Sequence, residues 1–337
     1  MADLNRFFHP DGWQEDSFTS TTGKKIRYGH AEPEGEKKGT VVITTGYADF
    51  IEAYHETIHE YLDRGYEVWM MDWAGHGGSE KNTSPPKKGQ TVEDHVEDLR
   101  KFRQEVVKPV AGKPVFLSTH SMGGQVALHY LQQYQKDFDF AVLATPLVEM
   151  RLKGSAKDLL KSAFEGAVKS GLGNEPIKNG RRSITRQLVA ERKDLVDDNP
   201  VRMSLHKSYM LLDDSLKAED PTVGYVESLF RSTDKAVQES FLKSISTPIL
   251  FGIGEKDDVV DNDSIKRAAG LVQKGKAAVV KGGIHALWLD RDAQRKAWWS
   301  EIDGYLAEKH RDFTPPQDPP KNTPGPKCNK PPQPKGP

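Results

Sequence analysis

The first uninterrupted β-branched run in the chain is TVVITTG at 40–46, closed by Gly46. An apolar run without alternation is the pattern of a strand buried on both faces. After it, Ile51, Tyr54, Ile58, Tyr61 and Leu62 recur at helical spacing and predict a helix from about 51 to 64, stopped by Gly65. The alternation then repeats. YEVWMMD (66–72) reads as a strand, Thr91-Val92-Glu93-Asp94 caps a helix running to about Val107, and PVFLSTH (114–120) reads as a strand. GGQVALHYLQQY (123–134) reads as a helix and DFAVLATP (139–146) as a strand. Between the second strand and the capped helix lies AGHGGS, whose glycines permit a sharp bend. Strands alternating with helices of this length predict a parallel sheet covered on both faces.

The rhythm stops after Pro146. Residues 147–244 hold helical patterns and charged loops without a buried-strand run. It resumes with TPILFGIG (247–254), a helix at 262–273, AAVVKGG (277–283) and a closing helix from about Ala293 to Lys309. The expected organisation is an α/β core in two parts, 1–146 and 245–312, interrupted by a helical cap at 147–244. Residues 313–337 hold ten prolines in 25 positions. Such a segment can neither form a helix nor join a sheet and reads as a solvated, disordered tail. A ligand for a proline-reading domain is the alternative.

Composition narrows the function. A chain of 337 residues has ample apolar material for a large core, and its net charge of −1 provides no global field towards nucleic acid. The single cysteine, Cys328, excludes internal disulfides and thiolate zinc sites. MADLNRFFHPDGWQ lacks a signal-peptide profile, and no apolar run reaches the roughly 20 residues of a membrane span. These features predict a cytoplasmic protein. Within 151–193, however, eleven Lys/Arg stand against four Asp/Glu, a local balance of +7. There AKDLLKSAFEGAVKSGLG repeats apolar pairs every four residues, giving a helix one broad apolar face. Two readings follow: a basic amphipathic lid resting on anionic lipid at the inner face of the membrane, or a cap helix that buries its apolar face on the core with its lysines in water. The second is the simpler; the cap role is common to both.

One motif suggests metal chemistry. His55-Glu56-Thr57-Ile58-His59 matches the zinc-peptidase pattern, with two imidazoles one helical turn apart and a carboxylate beside the first. Its helix, however, is the crossover between the strands at 40–46 and 66–72, so its apolar stripe must pack on the sheet. His55 and His59 flank that stripe at its expected solvent border, and nothing nearby supplies a third ligand. The motif is read as a coincidence, and no metal is expected. Gly75-x-Gly77-Gly78 is a weak echo of a phosphate loop that lacks the helix-opening Lys-Ser/Thr, so no nucleotide is expected either.

A different constellation carries chemistry. The strand at 114–120 runs into Thr119-His120-Ser121-Met122-Gly123-Gly124 and then a helix, the strand–turn–helix context of a nucleophile elbow. The pattern is normally G-x-S-x-G; Thr119 stands at its first glycine. A serine hydroxyl needs an imidazole to take its proton and a carboxylate to orient that imidazole. Glu255-Lys256-Asp257-Asp258 follows the strand at 247–254, and Ile284-His285-Ala286 follows the one at 277–283. The order Ser, acid, His, each after a strand, is that of hydrolases built on such a sheet.

VVITTGYADFIEAYHE, DWAGHGGS, HSMGGQVALHYL, GEKDDVVDN and GGIHALWLDRD, with DPTVGYVESLFRS in the insertion, together resemble the α/β-hydrolase group of bacterial lysophospholipases and monoacylglycerol lipases across about 15–310. The resemblance implies an α/β-hydrolase fold with a helical cap and a serine esterase acting on lipid-like monoacyl esters without a cofactor. It implies Ser121 as nucleophile, His285 as base and Asp257 as acid, with Asp258 and Asp261 as neighbouring rivals. The oxyanion hole would use the backbone N–H of Met122 and that of Tyr47, where relatives often carry His-Gly and this chain has Thr45-Gly46. His76 is expected to be a structural loop residue and His120 to lie buried beneath the elbow. A peptidase or lactonase on the same scaffold is the nearest alternative, because Asp213, Asp214, Glu219 and Asp220 in the cap could receive a substrate ammonium. A non-catalytic binding protein is a further one.

Overall fold

The structure, a computed structural model, describes residues 5–81, 90–151, 154–180 and 200–310. Eight strands form one sheet: β1 (Gln14–Thr19), β2 (Lys25–Ala31), β3 (Gly39–Thr44), β4 (Tyr66–Met71), β5 (Val115–His120), β6 (Phe140–Ala144), β7 (Ile249–Gly254) and β8 (Gly275–Val280). Their spatial order is β1-β2-β4-β3-β5-β6-β7-β8. From β4 to β8 every pairing is parallel, and β3, β4, β5, β6 and β7 are buried along their whole length. Those are the runs without alternation, as a sheet covered on both faces requires.

β1 and β2 are absent from the sequence expectation. QEDSFT is exposed at five of six positions, and KIRYGHA carries no apolar run. They form because β2 completes the open edge of β4 in antiparallel register, Tyr28↔Met71 to Ala31↔Val68, and β1 then pairs with β2. A strand specified by its partner's free edge leaves little trace in hydrophobic periodicity.

Helices α1 (His55–Asp63), α2 (Val92–Lys101), α3 (Met122–Gln133), α4 (Ser155–Ala167), α5 (Pro200–Leu212), α6 (Val223–Ala236), α7 (Glu239–Lys243), α8 (Asn262–Leu271) and α9 (Asp292–Lys309) join the strands, together with five short 3-10 or π turns. On one face of the sheet Val96, Leu99, Val126, Tyr130 and Ile265 from α2, α3 and α8 pack on Val42, Leu117 and Phe251. On the other, Ile58 and Tyr61 of α1 and Trp299, Ile302 and Tyr305 of α9 pack on Val41, Ile43 and Phe116. α2 starts on the predicted capping box, in which the Thr91 side chain accepts from the Asp94 N–H and the Asp94 carboxylate from that of Thr91.

Between β6 and β7 the described residues are helical apart from turns and isolated bridges. α4 leans on α6, with the Phe164 and Phe230 rings 6.1 Å apart. Yet Leu159 remains 72% and Leu160 42% exposed. The expectation that this helix buries its apolar face is therefore met on one flank only. Residues 152–153 and 181–199 of the basic stretch, and the proline-rich tail, lie outside the described residues. Among the described residues no helix is long and apolar enough to cross a membrane.

The HETIH helix differs from its expected setting. His55 is buried rather than bordering solvent, because the N-terminal segment folds over it: its Nδ1 lies 3.3 Å from the Phe7 carbonyl oxygen, and Trp13 packs edge-on. Burial pushes its pKa down to about 4. The His59 Nε2 lies 3.0 Å from the Phe8 carbonyl oxygen. Glu56 points the other way. It accepts from Arg202 of α5 at 2.6 and 2.8 Å, with Arg6 and Arg295 at 3.3 and 3.6 Å. The three residues that spell a zinc motif are thus engaged with three separate sets of protein groups.

Candidate active site

β5 delivers the chain to Ser121, which turns into α3 with φ 51° and ψ −116°. Only a tightly specified turn holds a non-glycine residue there. The following glycines are what let the turn close. A Cβ on Gly123 would lie 2.6 Å from the Thr45 carbonyl oxygen, and one on Gly124 would lie 2.5 Å from the Pro146 Cβ. Thr119, at the position of the customary first glycine, is accommodated in the buried strand, its Oγ1 3.4 Å from where a Gly124 Cβ would sit. The Ser121 carbonyl accepts from the N–H groups of Gly124, Gln125 and Leu147, which pins the elbow to the end of β6.

The Ser121 Oγ lies 2.9 Å from Nε2 of His285, whose Nδ1 lies 2.8 Å from Oδ2 of Asp257. Among Asp257, Asp258 and Asp261 it is Asp257 that reaches the imidazole. Asp258 is exposed, and Asp261 caps α8 by accepting from the Ser264 N–H at 2.8 Å. Burial would raise the Asp257 carboxyl, but the His285 ring and the N–H groups of Val259 and Val260 at 2.9 and 3.1 Å outweigh it and hold the group below the usual carboxylate range. An ionised Asp257 accepts Nδ1–H and leaves Nε2 as the acceptor for the serine proton.

Several positioning groups escape sequence reasoning. The His285 carbonyl accepts from the Thr145 hydroxyl at 2.6 Å and faces His120 Nε2 at 3.2 Å. The carboxylate of Asp290, wholly buried, accepts from the Ile284 N–H at 2.9 Å and shapes the turn ahead of the histidine. Thr145 has φ 43°, strained for a β-branched residue, and only its place at the end of β6 could have drawn attention to it. Asp290 sits in LWLDRD beside Asp292, where no spacing signal marks one acid over the other.

Facing the elbow is the loop after β3. The Trp73 indole N–H donates to the Thr45 carbonyl at 2.9 Å, and Gly123 closes against the same oxygen. Tyr47 follows, its ring edge-on to His76 at 5.2 Å and stacked with Tyr225 at 6.1 Å. The Tyr225 hydroxyl contacts the Met122 sulfur. The Met122 amide opens α3, where backbone N–H groups lack intrahelical acceptors and the helix field favours negative charge. His76 is buried, its Nδ1 3.1 Å from the Ala74 carbonyl oxygen, and burial pushes it down to about 4. His120 is buried under the elbow and likewise lowered by burial.

The family model described as "Serine aminopeptidase, S33" matches residues 35–292. The chain belongs to this family. The match spans β3 to the first residue of α9 and so includes Ser121, Asp257 and His285. Lysophospholipase L2 of Escherichia coli (strain K12) is 24% identical over 309 residues, covering 85% of this chain and 86% of that protein. A monoglyceride lipase from Saccharomyces cerevisiae, solved as a soluble variant with a substrate analog, superposes with a TM-score of 0.68 at 15% identity, over 88% of this chain and 96% of its own. A monoacylglycerol lipase from Paleococcus ferrophilus gives 0.63 at 19% identity, over 83% and 98%. The S33 fold of this chain is thus the α/β-hydrolase fold.

Among the described residues one His/carboxylate grouping has ligand-like spacing: His30, Glu32 and Glu67, with their ligand atoms within 4.8 Å. It lies on β2, the residue just after it, and the start of β4, away from the elbow. The Lys37 ammonium already stands 2.7 Å from Glu32 and 3.9 Å from Glu67, which supplies the positive charge there.

Proposed function

We propose that the protein hydrolyses carboxylic esters of single-acyl lipids, lysophospholipids or monoacylglycerols, with Ser121, His285 and Asp257 as its triad. Ser121 Oγ attacks the ester carbonyl while His285 Nε2 takes its proton, then returns that proton to the leaving alcohol. Asp257 keeps the imidazole oriented and stabilises its charged form. The N–H groups of Met122 and Tyr47 receive the oxyanion. A water that gives its proton to His285 then attacks the acyl-enzyme, releasing the fatty acid and restoring the serine. What carries this reading is the pair of bonds at 2.9 and 2.8 Å that joins a strained serine, through one imidazole, to a buried carboxylate.

Ester rather than aminoacyl substrates are favoured by the cap acids, which already have structural tasks. Asp213 accepts from the Ser215 N–H, Asp214 pairs with Lys217, Asp220 accepts from the Asn179 N–H, and Glu219 packs against Gly75. The relatives named lysophospholipase and monoglyceride lipase support a lipid-like acyl group. The exposed Leu159 and Leu160, in a stretch (151–193) whose sequence balance is +7, support a further reading, contact of the cap with anionic lipid at the inner membrane face of the cytoplasm.

One experiment tests both layers. Turnover of monoacyl esters is expected to exceed that of aminoacyl amides, lactones and diacyl lipids, and to rise when the monoacyl ester is presented on vesicles containing anionic lipid. Preference for aminoacyl amides would overturn the substrate assignment. Equal turnover on neutral and anionic vesicles would remove the surface contact alone.

A further inference from the structure

We propose that Asp49 is a positioning residue for the ester hydrolysis, tying the loop that carries the Tyr47 N–H to the segment that carries His285. The inference rests on the roles given above to Ser121, His285 and Tyr47. Asp49 lies two residues beyond Tyr47, just after Ala48, whose φ of 60° is strained for a non-glycine residue. A loop holding such a conformation needs an anchor, and the Asp49 carboxylate is set among three groups from three parts of the fold. The Tyr54 hydroxyl donates to Oδ2 at 3.0 Å, His120 Nδ1 lies 3.4 Å from the same oxygen, and His206 Nε2 of α5 lies 3.4 Å from Oδ1. The Tyr54 oxygen is itself 3.2 Å from His120 Nδ1.

His120 carries the connection onward. Its Nε2 lies 3.2 Å from the His285 carbonyl oxygen, the same oxygen that Thr145 holds at 2.6 Å. One carboxylate therefore fixes, through a tyrosine and a histidine, the backbone of the base on one side and its own oxyanion loop on the other. Gly46 shows how closely the two sides meet, since a Cβ there would lie 2.8 Å from His120 Nδ1 and 3.0 Å from Asp49 Oδ2. The contact with His206 adds the cap, because that ring stacks on Phe50 at 5.0 Å and α5 is anchored by Arg202. Asp49 touches no reacting atom in this scheme. Its effect is on the register of the oxyanion donor against Oγ and Nε2, where displacement by a fraction of an ångström is felt in the transition state.

The test is D49N, with Y54F as its companion, assayed on a monoacyl p-nitrophenyl ester. Active sites are counted by fluorophosphonate titration, so that misfolded molecules do not enter kcat. D49N keeps the side-chain shape and removes the charge; Y54F removes only the hydroxyl from a ring stacked on Trp288 at 4.1 Å. Expected for D49N is a fall in kcat per titrated site of roughly 10- to 100-fold with KM changed by less than about threefold. Y54F should move the same way by a smaller factor. A merely structural role would lower the titrated fraction or the melting temperature and leave kcat per site at the wild-type value, and that result overturns the proposal. If D49N does not fold, Y54F decides alone: wild-type kcat per site overturns the inference. Failure of the underlying reading looks different, since then the wild-type protein would show no titratable serine or S121A would keep its activity.

Discussion

Ser121→Ala is expected to lower kcat on a monoacyl p-nitrophenyl ester by a factor on the order of 10⁴ to 10⁶, with the fold unchanged. The hydroxyl is the atom that forms the acyl bond, and neither the oxyanion donors nor the binding surface can replace it. The backbone at this position has φ 51°, a region in which alanine is no more strained than serine. The carbonyl that pins the elbow to Gly124, Gln125 and Leu147 is also retained. Circular dichroism and a thermal melt should therefore overlay those of the wild type. Activity within tenfold of wild type, with unchanged substrate preference, would contradict the role given to this serine.

The second large effect is on stability. Glu56→Gln removes the charge against which Arg202, Arg295 and Arg6 are arranged, and places an amide N–H₂ where a carboxylate oxygen accepted. Glu56, Arg202 and Arg295 are nearly solvent-free, so the guanidinium groups would be left short of compensation. Burial would raise the Glu56 carboxyl, but the Arg202 hydrogen bonds and the surrounding guanidinium charges overcome it and hold the group below its ordinary range. Breaking such a pair costs on the order of 3 to 5 kcal/mol. Denaturant unfolding should report a loss of that size, while kcat per titrated active site stays near wild type at temperatures where the variant is folded. A zinc-peptidase reading of HETIH demands the opposite pattern, with turnover abolished at little cost in stability. A loss under about 1 kcal/mol would contradict the hub described here.

What was legible in the chain follows the same division between local and long-range causes. Of the six parallel strands, β3 to β7 were readable because a strand covered on both faces must be apolar throughout, whereas the half-exposed edge strand β8 was readable from the short run AAVV ahead of Lys281-Gly282-Gly283. The antiparallel pair β1 and β2 was not, because the open edge of β4 rather than periodicity selects it. Ser121 was visible from the requirement for small neighbours at the elbow. Asp257 could be separated from Asp258 and Asp261 only by geometry, since three carboxylates in five residues have equal chemical credentials and differ in where one turn points them. Thr145, Asp49 and His206 act across more than 80 residues of chain on the His285 segment or the oxyanion loop, and no spacing rule reaches that far. The burial of His55 likewise depends on an N-terminal segment whose course the helix pattern does not encode.

The central claim is that one serine of this chain is activated by an imidazole held on a carboxylate. Treatment with a fluorophosphonate, followed by peptide mapping, tests it most directly. The reagent loses fluoride as the serine oxygen bonds phosphorus, so an activated hydroxyl is marked by the phosphonyl mass. The account predicts one adduct per molecule, on the peptide carrying Ser121, and its disappearance in His285→Ala. No adduct, or an adduct on another serine with Ser121 untouched, would contradict it.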